Sequence, residues 1–321
     1  MKVYKHLGIE ERVKIALFEE VGLSGEEIAE ELGRDKSTIY RELRRNSDSK
    51  TGRYVARNAQ YEYRQRIKKP RGRIRDQESR TYVREKLLLG WSPERISGRL
   101  GMEMPGKSVS HETVYMFVYK EEPRLRVCFP RHHMKRHNIW QRKSHNKSHI
   151  PNRVLIDFRP KEINSRTEFG HWESDLMLGT KASNSGLTFI VERKSRLSKV
   201  RKTNYVTARS NKRNIIGMMK DVPEKARQSI TYDNGYENAL HEKINKEIGC
   251  NSYFCNDGKP YEKGTIENTI GLARRMFPKG TRFDKISAGG IRKLENWLND
   301  LPKKCLGWQT PREVFEQLCC T

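Results

Sequence analysis

From Gly8 to Val21 the apolar residues Ile9, Val13, Ala16, Leu17 and Val21 recur at helical spacing with acids and bases between them, predicting an amphipathic helix. Ser24-Gly-Glu-Glu27 then supplies an N-cap hydroxyl and a glutamate at the third helical position. This opens a short helix with Ile28, Ala29 and Leu32 inward and Gly33 at its end. Asp35 caps a third helix, Lys36 to Arg45, in which Ile39 and Leu43 stand i,i+4 on the buried side. Three short helices around a tight glycine turn make a helix-turn-helix, whose third helix enters the DNA major groove. The outward Lys36, Ser37, Thr38, Arg41, Arg44 and Arg45 are its candidate DNA contacts.

The pattern returns downstream. Ser92, with Pro93 at the first helical position, opens a segment whose Ile96 and Leu100 stand at the same offsets as Ile28 and Leu32 from Ser24. Thr113-Val-Tyr115 echoes Thr38-Ile-Tyr40, which makes Ser110, His111 and Glu112 candidate contacts of a second unit, and a helix over about Gln77 to Leu89 completes it. The Arg-rich stretch from Arg64 to Arg75 between the units is expected to be an exposed arm.

Beyond Ile150 the period changes. Strand-like runs cover Glu168 to Leu178, Leu187 to Val191 and Ser198 to Lys202, before a helix near Arg209 to Met219. Strand Ser229 to Tyr232, helix Ala239 to Ile248, strand Ser252 to Cys255 and helix Thr265 to Met276 follow. Three strands and then an alternation of helix and strand predict a mixed sheet with helices on both faces, the order of an RNase H-like α/β domain. The chain is thus expected to be multidomain. Helix-turn-helix units over 1–50 and 76–125, an arm over 51–75 and a basic linker over 126–160 precede an RNase H-like domain over 161–321.

In that layer order the first strand, the fourth strand and a late helix converge, bringing Asp175, Asp233 and Glu267 together as candidate catalytic residues. Hard Mg²⁺ prefers such oxygen ligands, and a pair of ions on shared carboxylates suits in-line phosphoryl transfer. Mn²⁺ is an expected substitute. Arg274, two helical turns after Glu267, is a candidate clamp on the DNA backbone. Glu173, Glu237 and Glu262 compete for the acidic roles, and spacing alone does not choose among them.

Composition agrees with a polyanionic partner: 65 Lys plus Arg against 40 Asp plus Glu give a net charge of +25. The charge is uneven. Residues 1–50 carry a net of −1 and residues 51–150 a net of +15, so most phosphate neutralisation is expected from the second unit and its flanks. With no long apolar run and an amphipathic pattern near the start, no membrane association is expected, and a cytoplasmic, nucleoid-associated protein with six reduced cysteines is. Cys128, His132, His133 and His137 lie close together, with His145 and His149 beyond. Without a second cysteine pair at ligand spacing, that segment reads as a basic linker and not a zinc site.

Gly170-His-Trp-Glu-Ser-Asp175, Asp233-Asn-Gly, Lys263-Gly-Thr-Ile-Glu-Asn268, Phe277-Pro-Lys-Gly280 and Cys305-Leu-Gly-Trp-Gln-Thr-Pro-Arg-Glu-Val-Phe315 resemble the IS-thirty family of bacterial DDE transposases. The resemblance covers nearly the whole chain, and the 33 residues between Asp233 and Glu267 equal that family's spacing. It implies that Asp175, Asp233 and Glu267 are metal ligands and Arg274 the basic residue following the glutamate. It further implies binding to terminal inverted repeats and target DNA, Mg²⁺-dependent strand cleavage and transfer, and a dimer or higher assembly on DNA. A catalytically silent DNA-binding regulator and a nuclease that cuts without joining are the alternatives. Ser174 stands where the family usually has Gly, and Ile266 and Ile270 replace common Asn positions.

Overall fold

The computed structural model describes residues 6–48, 51–68, 74–129, 150–180, 182–257 and 259–320. The histidines of the 130–149 stretch lie outside them. Two compact units emerge, residues 1–73 and 74–321.

In the first unit, helices α1 (Ile9–Glu20), α2 (Gly25–Glu31) and α3 (Lys36–Asn46) form the expected three-helix arrangement. Ser24 accepts the Glu27 amide while Glu27 reaches back to the Ser24 amide, and Asp35 accepts the Ser37 amide. Two expectations are corrected. The α1 stripe is not the buried side: Ile9, Val13, Leu17 and Val21 are exposed, and Arg12 and Ile15 are turned inward instead. Arg12 belongs there because the Glu42 carboxylate meets its Nε at 2.7 Å, with the Leu7 carbonyl and Gln60 taking its other guanidinium hydrogens. Part of the expected arm is also regular, since α4 (Ala56–Lys68) packs on α1 and buries Ala59 completely.

The second unit begins with α5 (Gln77–Leu88), α6 (Pro93–Glu103) and α7 (His111–Met116), the last running on into a π-helical turn over Phe117–Glu121. After the short α8 (Lys161–Ser165) come strands β1 (His171–Leu178), β2 (Gly186–Glu192) and β3 (Ser198–Thr203), then α9 (Ala208–Met219), β4 (Ser229–Tyr232), α10 (His241–Ile248), β5 (Asn251–Phe254) and α11 (Gly264–Met276). Two helices absent from the pattern reading, α12 (Ala288–Asn299) and α13 (Pro311–Cys320), complete the unit. The sheet order is β3-β2-β1-β4-β5. Strand β2 runs antiparallel to both β1 and β3, and β1, β4 and β5 are parallel. This is an RNase H-like mixed sheet.

Strand alternation sorts its core to two sides. Trp172, Ile190, Ile230 and Tyr232 pack with Ile215 and Met218 of α9 and Ile244 of α10. Met177, Phe189, Val191 and Val200 pack with Ile266 of α11 and Leu294 of α12 on the other. Ile266 and Ile270, the departures from the family's asparagines, thus lie in or against this second core.

The helices α5–α7 are fastened to the same unit. Leu301 is buried in their core, where Leu272 and Trp297 also pack. The Trp297 indole donates to the Leu89 carbonyl at 2.8 Å, and Arg99 on α6 meets Glu313 on α13 at 2.9 Å.

Candidate active site

Register decides where the first two acids meet. In the parallel pair β1–β4, Glu173 lies opposite Thr231. Two residues further along each chain, past the last paired residues of β1 and β4, stand Asp175, midway along β1, and Asp233, just after the end of β4. Both carboxylates converge on one ammonium: Lys263 Nζ is 3.4 Å from an oxygen of each. Lys263 immediately precedes α11 and also donates to the Ser174 carbonyl at 3.1 Å.

Burial pushes the Asp175 carboxyl above the ordinary carboxylate range, Lys263 opposes that, and the neighbouring Asp233 adds to it. Burial likewise disfavours the Lys263 ammonium, but Asp233 and Asp175 outweigh it and hold the proton more tightly than usual. Asp233 is oriented by Asn238, whose side-chain amide donates to its carboxylate at 2.8 Å, and by the Gly235 amide.

Glu267 sits exposed on α11, four residues after Lys263. The structure unites Asp175 and Asp233 but does not gather the third acid with them. Among the described residues no three His, Cys, Asp or Glu side chains are close enough to hold a metal ion. The two aspartates nonetheless fit a hard divalent cation, because a buried ammonium already stands between their oxygens as the cation that keeps them from repelling each other.

The competing acids are sorted by their partners. Glu173 is fully buried, bonded to Arg193 Nε at 3.1 Å and to the Ile266 amide at 2.9 Å, so it pins the first turn of α11 to the sheet. Glu262 accepts from the Asn256 amide and side chain. Glu237 alone remains beside the pair; burial raises its pKa, and the charges of Asp233 and Asp175 add to that. Arg274 donates to the Leu178 and Pro278 carbonyls at 2.8 and 3.4 Å, tying the end of β1 to the turn after α11. Glu237's nearness to Asp233 in sequence had made it a competitor, whereas Lys263's role was not evident from spacing, although Lys263 belongs to the Lys-Gly-Thr-Ile-Glu motif.

A family model described as a helix-turn-helix domain matches residues 3–46. The transposase for insertion sequence element IS1086 of Cupriavidus metallidurans is 34% identical to this chain, covering 98% of it and 95% of that protein. Similarity to the transposase for element IS4351 of Bacteroides fragilis is likewise 34%, over 98% of this chain and 96% of the relative. Transposase InsI for element IS30C of Escherichia coli is 32% identical over 97% of the chain and 84% of its own length. The chain belongs to the IS-thirty family of insertion-sequence transposases. The crystal structure of the catalytic core domain of BIV integrase is similar over 47% of this chain and 96% of that one, at 18% identity and a TM-score of 0.37.

In this transposase-family chain the candidate DNA contacts on α3 face outward as expected. Lys36, Ser37, Arg41, Arg44 and Arg45 are exposed and Thr38 is partly so, with Lys36 paired at the surface to Glu26 at 3.1 Å. Ser110 is engaged as the N-cap of α7, accepting the Thr113 amide, while His111 and Glu112 are exposed and 3.0 Å apart. Among the described residues no helix is long and apolar enough to cross a membrane.

Proposed function

We propose that this chain binds the terminal inverted repeats of its insertion sequence, cuts a DNA strand there and joins the freed end to target DNA. The convergence of Asp175 and Asp233 on Lys263, just past the paired stretch of the parallel strands β1 and β4, carries the proposal. Asp175, Asp233 and Glu267 are the residues that would hold Mg²⁺, as two ions replaceable by Mn²⁺. When bound, the ions supply the charge that activates the attacking oxygen and stabilises the leaving one. Asn238 and the Gly235 amide fix Asp233's direction, and Glu173 sets the position of α11 and hence of Glu267. These contacts give the preorganisation that phosphoryl transfer requires.

The exposed face of α3 (Lys36, Ser37, Thr38, Arg41, Arg44 and Arg45) and the start of α7 (Ser110, His111 and Glu112) read or grip DNA. Arg274 steadies the substrate side of the site through the end of β1. Domains over 1–50 and 76–125 bind DNA, and residues 161–321 do the chemistry. Pairing of two element ends calls for a dimer or larger assembly on DNA, working in the cytoplasm at the nucleoid.

Incubation with Mg²⁺ and labelled duplexes carrying the element's ends tests this reading. Joined products are expected, and Asp175→Asn or Asp233→Asn is expected to lower them at least about a hundredfold, beyond the 10–100-fold loss common for an outer partner. Cuts without joining favour a nuclease. Mobility shifts without any cutting favour a regulator.

A further inference from the structure

A second feature of the 74–321 unit is a cleft of about 900 Å³ between α6, the start of α11 and the segment leading to α13. Its wall carries Arg95, Arg166, Arg196, Arg275, Lys303 and Lys304, against a single lining carboxylate, Glu94. Among the described residues none of the six cations has a carboxylate within salt-bridge distance, in contrast to the paired Arg99 on the same helix. They also repel one another. Burial and then the Arg95 and Arg196 charges hold the Lys303 ammonium down to about 8, and burial and then Arg275 lower Arg95.

Arg196 keeps one bond, to the Thr265 hydroxyl at 2.7 Å, while its shielded Nε has no partner. Backbone conformation adds an independent observation. Arg166, Arg196 and Trp308, all on this wall, are non-glycine residues at φ 60, 66 and 68. Left-handed backbone of this kind persists where surroundings enforce it and concentrates at functional sites.

Convergent cations without counter-charges are what a polyanion satisfies, and Thr265 and Asn268 on the same wall flank Glu267. At roughly 900 Å³ the cleft is near the upper size of small-ligand sites. That volume takes a few nucleotides of one strand but is too small for both strands of a duplex over the same length. We infer that this cleft holds the phosphodiester backbone of an unpaired DNA strand running past the carboxylate site. The inference takes the identity of the polyanion from the transposase reading, but its test needs no catalysis.

Cys305 lies on the wall with an exposed free thiol, and Cys320 is exposed elsewhere. Oligothymidylate carrying a disulfide tether on one phosphate, mixed with the full chain in chelator, is expected to cross-link to Cys305 in preference to Cys320. Cys305→Ser should abolish that product. The double variant Arg275→Glu/Lys304→Glu should lower its yield at least about tenfold, with the thermal melt unchanged, and should flatten the salt dependence by about 0.7 in log–log slope per lost contact. Equal labelling of Cys320, indifference to the charge reversals, or equally fast capture of a tethered blunt duplex would overturn the assignment. Because no metal is present, these results stand apart from whether Asp175→Asn loses joining.

Discussion

Arg12 shows at the scale of one residue how packing can overrule a pattern. An arginine amid an apolar stripe is ordinarily solvated, yet here it is 2% exposed and bonded to Glu42, itself 8% exposed, which also accepts from the Tyr54 hydroxyl at 3.0 Å. Removing one member of such a pair leaves the other charge buried without a counter-charge. Glu42→Ala is therefore expected to destabilise the amino-terminal unit by about 3–5 kcal/mol, a large share of the 5–15 kcal/mol typical of a whole domain. Urea unfolding followed by circular dichroism measures it, and a change under about 1 kcal/mol would contradict the assigned partnership.

Lys303 offers a pH test of the same kind. Its ammonium titrates near 8 in the fold and near 10.4 in an unfolded chain, so between those values the unfolded chain binds the extra proton. Stability from this residue therefore rises as pH climbs from about 8 to about 10.4. Lys303→Met, which lacks the titration, should be more stable than the parent at pH 7, with the gap closing by about pH 10.4 in parallel denaturant titrations.

At the scale of elements, α6 and the segment before α13 meet so closely that glycine is required between them. A Cβ built on Gly98 would lie 2.1 Å from the Trp308 ring, well inside any permitted contact. Gly98→Ala gains helix propensity of up to about 1 kcal/mol. Overpacking nevertheless makes a net loss of about 1–2 kcal/mol the expected outcome, read as a lower urea midpoint of the intact chain. Gly101→Ala, with open space around its Cβ except for the Lys107 carbonyl at 3.7 Å, is the matched control.

The elements legible beforehand were those with local signals: the capped helices α2, α3 and α6, and the strand-like runs of β1 to β3. The helix α12 was legible in principle, since Ile291, Leu294 and Leu298 keep its buried side. The seat of Trp308 on Gly98 was not, because residues 210 positions apart in sequence carry no periodic signal of their meeting.

For the whole molecule, a net charge of +25 is expected to make the proposed DNA binding steeply dependent on salt. If six to ten phosphates are neutralised, affinity for duplex should fall about 10³- to 10⁵-fold between 50 and 200 mM salt, measured by fluorescence anisotropy. A fall of less than about tenfold would mean that the positive charge does not face DNA.

The amino-acid sequence by itself determined the helix caps, the succession of strands and helices along the chain, the acidic motifs and the family, since each rests on residue type and short spacing. Tertiary structure alone decided which acids lie side by side and which are engaged elsewhere. Asp175 and Asp233 were joined by strand register, and Glu173 and Glu262 were withdrawn by partners contributed from distant segments. The same long-range packing buried Arg12 and set six cations around an acid-poor cleft, because burial and counter-charge belong to neighbours in space that no local pattern encodes.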